Sequence, residues 1–259
     1  MDVIAFIKRV PDTADADSIQ IDASGRNIEK TMLTFKINNW DEYVLETAAQ
    51  LKEKLGGTFT AVTVGPKDWD EILRRALAMG ADKVIRIDVD VSDLQPYEVA
   101  FVLKTVTKSL PFNLLLFGAQ SEDYGSGQLG VMVAEMLGIP HASLVTRLEI
   151  KEKSVCVNRE LEAGISESYL LGIPALLTIH TGINQPRYIS LAGIRRAMKM
   201  EIQVIPLSEI GLSLERMTSK YKLEKLELPP EGKTAELISG SPTESAEKLA
   251  QILKNSGVF

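Results

Sequence analysis

The sequence predicts an α/β fold: a doubly wound, mostly parallel, Rossmann-like sheet with a strand extension and an extended C-terminal arm ending in a helix. Three observations predict it. Up to Pro140, β-branched apolar runs alternate with amphipathic helical stretches, the pattern of right-handed βαβ crossovers. Four short alternating runs follow with little helix between them, which reads as an extension of the same sheet. After about Pro206 the chain turns polar and loop-like before one last helix. An α/β domain is therefore expected at 1–205, and an arm with its helix at 206–259.

The elements follow in order. VIAFI (3–7) is a β-branched apolar run, trailed by a long polar loop punctuated by Pro11 and Gly25. In DEYVLETAAQLKEKLGG, residues Val44, Ala48, Leu51 and Leu55 fall on one helical face, with Asn39 as the expected N-cap and Gly56-Gly57 as the stop. TFTAVTVG (58–65) is a strand, DWDEILRRALAMG (68–80) a helix, and KVIRIDV a strand. YEVAFVLKTVTKSL is a helix stopped by Pro111, NLLLFG (113–118) a fully apolar strand, and GQLGVMVAEMLG a helix closed by Gly138 and Pro140. SLVTRLEI, SVCVNREL, SESYLLG and ALLTIHTG are the extension strands. In SPTES, Ser241 as N-cap, Pro242 and Glu244 make a capping box for the last helix. Its apolar face, Ala246, Leu249, Ile252 and Leu253, needs a surface to cover it. That surface is either the chain's own domain or, as we read it, a second subunit.

Composition removes several functions. The 259 residues carry a formal net charge of −6, against a general nucleic-acid or membrane-surface binder. The single cysteine, Cys156, excludes an internal disulfide and a cysteine-based zinc site, and between Val155 and Val157 it reads as a buried thiol. The N-terminus lacks the basic start and long apolar core of a signal peptide. No stretch reaches the roughly 18 apolar residues of a membrane span. A cytoplasmic protein without an integral membrane segment is expected.

Ligands of open α/β sheets bind beyond the carboxyl ends of the strands. Three loops lie there: KRVPDT (8–13), TVGP (63–66) and GAQSEDYGSGQLG (118–130). The last holds Gly125, Gly127 and Gly130 in G-x-G-x-x-G spacing, but after the fourth expected strand. These glycines serve either close helix–sheet packing or a phosphate at a helix N-terminus; Asp123 and Ser126 beside them favour the second. No P-loop lysine motif, nucleophile elbow or metal-ligand spacing is present, and His141 and His180 read as structural. No catalytic or metal residue is assigned. Trp40, at the start of the first long helix, is either a hydrophobic staple or a surface for a planar ligand.

Taken together, KRVPD, NNWDEYVLETAAQLKE, VTVGP, RRALAMGADKVIRI, GAQSEDYGSGQLG, VNRELEAG and GIPALLTIHTGINQPRYISLAGIRRAMK resemble the β (small) subunit of electron-transfer flavoproteins, collinearly over nearly the whole chain. NNWDEY and GINQPRYISLAGI look most like the methylotrophic, trimethylamine-dehydrogenase-linked branch. The resemblance implies a non-catalytic carrier half with an adenine-nucleotide-binding fold. It would pair with an α subunit holding most of an FAD, carrying electrons from a flavin-containing dehydrogenase to a quinone reductase or similar acceptor. It implies a structural AMP contacted by Phe6, Asn38, Asn39, Trp40, Asp41, Val64, Asp123, Tyr124, Gly125, Ser126, Gly127, Gln128, Leu129 and Gly130. Phe6 and Val64 would act through backbone atoms. Trp40 and Thr13 fall at flavin-proximal positions, although relatives with an aromatic at the second have no counterpart here. Leu191 matches the anchor leucine by which the β subunit grips its dehydrogenase, with Ile194, Arg195, Arg196 and Lys199 beside it. Many relatives have proline after that leucine, where this chain has Ala192-Gly193, implying a more flexible loop or another partner. Electron-bifurcating members hold a second FAD in place of AMP and accept hydride from NADH. DYGSGQLG here lacks the second aspartate and the threonine of their loop, and equally the asparagine–glutamine–threonine run of the common AMP-binding kind. The likeness to the methylotrophic branch, which holds AMP, makes AMP the preferred ligand and the second FAD the alternative. An adenine-nucleotide-binding enzyme of related fold is a further alternative.

Overall fold

The computed structural model describes residues 1–12, 19–31, 33–92, 94–213, 223–230 and 235–258. Val3–Phe6 (β1) enters the sheet centre, and Arg9–Pro11 (β2) pairs antiparallel with Phe35–Ile37 (β3) as a small separate ribbon. Asn39–Leu55 (α1) leads to Phe59–Val64 (β4), Asp70–Met79 (α2) to Lys83–Asp88 (β5), and Pro96–Thr107 (α3) to Leu114–Gly118 (β6). Leu129–Leu137 (α4) precedes His141–Lys151 (β7), Ser154–Glu160 (β8), Ser166–Gly172 (β9) and Ala175–Ile179 (β10). Leu191–Lys199 (α5), Gln203–Pro206 (β11) and Pro242–Asn255 (α6) complete the set.

Among the described residues the main sheet has nine strands in the order β11-β5-β4-β1-β6-β10-β7-β8-β9. Every pairing from β11 to β7 is parallel, and β8 and β9 add antiparallel strands at one edge. The fold is the expected doubly wound α/β sheet with its extension. One core packs α1, α2 and α5 onto one face through Val44, Leu45, Leu73 and Leu77. The other packs α3 and α4 onto the opposite face through Leu103, Val106 and Val133. The central strands are buried on both sides, which is why VIAF and LLLF carry no polar alternation. Each such fully buried Leu or Ile contributes about 1.5–3 kcal/mol of apolar transfer.

Four local expectations shift. The N-cap of α1 is Asn38, not Asn39, since Asn38 keeps a non-helical backbone with ψ of 130°, and its amide makes no capping bond because it is engaged across the molecule. Leu55 is 42% exposed, since the last turn of α1 runs beyond the sheet that covers Val44, Ala48 and Leu51. Cys156 is only half-buried: Val155 and Val157 point into the core, so the residue between them faces away. Leu191 is not in a loop ahead of the helix but is the first residue of α5, with Ser190 accepting from the Gly193 N–H at 3.0 Å.

The capping box of α6 is formed, with Ser241 and Glu244 bonded reciprocally. None of its residues is buried, and Leu249 and Ile252 are 47% and 45% exposed. No helix among the described residues is long and apolar enough to cross a membrane.

Candidate functional site

The chain runs β1, β4, β5 outward on one side of the sheet centre, then crosses back to place β6 on the other side of β1. Phe6 at the end of β1 and Phe117 on β6 stack across this switch point with ring centroids 4.3 Å apart. Above them opens a cleft of about 310 Å³, within the usual size of a small-ligand site and at its lower end. Of the residues expected to bind a nucleotide, the structure gathers Phe6, Asn38, Asp41, Val64, Asp123, Tyr124, Ser126, Gly127, Gln128 and Leu129 around it. Asn39, Trp40, Gly125 and Gly130 are not in its lining.

The three glycines separate by role. Gly125 and Gly127 sit at φ of 60° and 61°, where the loop turns before α4. Gly130 lies in α4 against β10, where a Cβ would come within 2.7 Å of Thr178 Cγ2, so it serves helix–sheet packing. The N-cap of α4, Gln128, makes no side-chain capping bond, which leaves the first-turn amides without a side-chain cap where Gln128 and Leu129 line the cleft. Such uncapped amides with the positive helix end are an anion site.

The first turn of α1 forms the adjoining wall. Asn38 donates to the Gln120 carbonyl at 2.9 Å and accepts from the Glu122 N–H at 3.0 Å, tying α1 to the loop after β6. Asp41 is 4% exposed and accepts from the Lys8 N–H at 2.8 Å. Burial pushes its carboxyl up to about 7, against the Lys8 N–H, the Asn38 amide, the Lys8 charge and the Gly118 N–H, which all pull it down. Trp40 turns the other way, its ring 5.1 Å from His180 and nearly perpendicular to it.

Three cleft residues escaped the sequence reading. Lys8 forms an ion pair with Asp123 at 2.6 Å and lies 4.5 Å over the Tyr124 ring, closing the mouth of the cleft. Arg9 and Trp69 line it from β2 and from the turn before α2. Their signal was positional: Lys8 and Arg9 lie in KRVPDT, and Trp69 comes three residues past TVGP. Thr13 falls outside the described residues.

A second surface surrounds Leu191. It is 75% exposed, beside Tyr188 at 97%, Met198 at 74% and Ile194 at 43%. Arg195 and Lys199 are exposed, whereas Arg196 donates to the Leu77 carbonyl at the end of α2, 2.9 Å away. In return Arg74 of α2 donates to the Ala197 carbonyl at the end of α5, at 2.6 Å. Each helix thus caps the other's C-terminus. A Cβ on Gly193 would lie 2.8 Å from the Ala78 carbonyl, so glycine is what allows this close approach. The Ala192-Gly193 pair seats a helix rather than loosening a loop. Arg187 pairs internally with Glu46 at 2.7 Å and with Glu53. Burial raises the Glu46 carboxyl, but the Arg187 and Gln50 hydrogen bonds outweigh it and hold it below the usual carboxylate range.

Residues 28–210 match the family model described as the electron transfer flavoprotein domain. The chain is similar to the electron transfer flavoprotein subunit beta of Bacillus subtilis, 36% identical over 98% of both chains. It is 32% identical to that of Methylophilus methylotrophus, again over 98% of both. To the human one it is 33% identical, over 98% of this chain and 97% of the other. The methylotrophic branch expected from NNWDEY and the NQPRY segment is not singled out, since the Bacillus chain shares more. A matched domain covering the sheet, with relatives aligned from end to end, places this chain in the electron transfer flavoprotein β-subunit family.

Proposed function

We propose that this chain is the non-catalytic half of a heterodimeric electron carrier. In this reading it holds AMP in the cleft at the switch point and covers one side of an FAD bound mainly by an α subunit. It docks flavin-containing dehydrogenases through the Leu191 surface, and electrons leave toward a quinone reductase or similar acceptor. The flavin supplies the redox chemistry; the residues of this chain bind, shield and dock, and make or break no bond.

The observation that carries the nucleotide assignment is the cleft itself, with the uncapped α4 amides at one end and aromatic walls elsewhere. Its volume of about 310 Å³ suits a mononucleotide better than a second FAD. The Gly127, Gln128 and Leu129 backbone would receive the phosphate, with Lys8 near enough to exchange Asp123 for it. The exposed Leu249–Ile252 stripe of α6 supports an arm, 206–259, that packs on the α subunit.

Co-purification with the α subunit tests this. One FAD and one AMP per heterodimer is the expected content. Two FADs with reduction by NADH would instead make it a bifurcating member, and a colourless monomer that hydrolyses ATP would end the reading.

Leu191→Ala is expected to raise the KM for the donor dehydrogenase about tenfold while flavin and AMP content stay unchanged, as for an exposed anchor leucine worth ~1–3 kcal/mol. Steady-state kinetics on the assembled heterodimer reads this. Loss of flavin in the variant would show the residue to be structural.

A further inference from the structure

Trp69 sits on the 3-10 turn Lys67–Trp69 that follows β4. The turn is held from both sides by arginines with little solvent access. Arg9, its side chain 14% exposed, pairs with Asp68 at 3.0 Å and with Glu71, and lies 3.9 Å over the Phe35 ring. Arg86, 5% exposed, donates to Asp70 at 2.7 Å and to the Gly65 carbonyl at 3.2 Å. Four groups flanking one tryptophan are thus held by two arginines, one buried and one nearly so.

The indole lies flat on Gly65. A Cβ there would meet Trp69 Cδ2 at 2.4 Å and Cε3 at 2.6 Å, so only glycine leaves room for the ring. One side of the indole is spent on this backbone, and the residue also lines the cleft. The indole N–H makes no hydrogen bond to any described residue, while the backbone N–H donates to the Pro66 carbonyl at 3.0 Å. The turn leaves β4, whereas the glycine loop and α4 follow β6, and β1 lies between these two strands. Strand spacing sets the two ends of the cleft roughly 10 Å apart. One end offers helix amides and Lys8, which suit a phosphate. The other offers a rigid aromatic surface, which suits a planar base.

We propose that Trp69 is the stacking surface for the base of the nucleotide held in this cleft, making it the residue that distinguishes a base-bearing nucleotide from a bare sugar phosphate. The proposal rests on the assignment of AMP to the cleft. Stacking of a base on an aromatic side chain tolerates any base, so the gain is in affinity for nucleotides as a class.

The test uses the FAD-loaded heterodimer stripped of nucleotide. AMP binding is measured by equilibrium dialysis, and ribose 5-phosphate binding by competition. Trp69→Leu is expected to raise the Kd for AMP about tenfold or more and to leave that for ribose 5-phosphate unchanged. Trp69→Phe should recover most of the loss. Gly65→Ala, which displaces the ring without altering it, should reproduce the leucine variant, and with Trp69→Phe it decides the matter if Trp69→Leu fails to assemble. An unchanged Kd for AMP, or equal weakening of AMP and ribose 5-phosphate, would overturn the role of Trp69 while leaving AMP in the cleft. A wild-type heterodimer that binds no AMP would remove the assignment on which the proposal stands.

Discussion

Gly118→Ala is expected to cost about 2–3 kcal/mol of stability and to leave the heterodimer without bound AMP. Gly118 ends β6 where α1 begins to cover the sheet. A Cβ there would lie 2.2 Å from Asp41 Oδ1, 2.9 Å from Trp40 Cβ and 3.3 Å from Asn38 Nδ2. None of these can simply swing aside. Asp41 is buried and held by the Lys8 N–H, and the Asn38 amide is bonded on both sides to the loop that precedes α4. The added methyl must therefore push the α1 terminus off the sheet, and the loop moves with it. Gly118 does not have a positive φ, so the penalty is steric rather than conformational. Denaturant midpoints and the AMP released on acid precipitation read the two effects. A variant with the parental midpoint and one AMP per heterodimer would show that the α1 terminus is free to retreat.

The same contact explains why part of this site was legible in the sequence and part was not. Periodicity found the helices and strands because each obeys a local rule: Val44, Ala48 and Leu51 recur at helical spacing, and LLLF lacks alternation because both its faces are covered. Glycine spacing and a carboxylate found the loop at Asp123–Gly127 for an equally local reason. What pairs across the sheet was invisible. Lys8 meets Asp123 across 115 positions, and Asp41 of α1 packs closely on Gly118 of β6. Trp69 reads as an ordinary helix start until the turn lays its ring on Gly65. Charge misled in the same way. Arg195, Arg196 and Lys199 look like one solvated basic face, yet Arg196 is committed to the end of α2, so the proposed docking of an acidic partner onto Leu191 would be steered by the other two. The leucine projects from a fixed helix, which lowers the ordering cost of docking.

Asp41 supplies the largest expected pH effect. Its carboxyl is raised to about 7 in the folded chain, chiefly by burial, whereas unfolded it titrates near 3.8. Between these values the folded state holds the extra proton, so the stability contributed by this group is fully present below about pH 4 and is lost as pH rises through 7. A shift of roughly three units corresponds to a loss on the order of 4 kcal/mol across that window. Glu46 has the opposite sign and a different window. Its carboxyl is held below its ordinary 4.5, so its contribution is present above that value and disappears only in more acid solution. The two do not mask one another between pH 5 and 7.5. Asp41→Asn should flatten the profile there, because the amide does not titrate. The variant should also be the less stable at pH 5, since its amide brings two N–H donors toward the Lys8 N–H, the Gly118 N–H and the Asn38 amide, where the protonated carboxyl brings one O–H. Denaturation midpoints of both chains at half-unit pH intervals provide the measurement. Parallel profiles for the two would mean that Asp41 stays ionised throughout, its donors outweighing its burial.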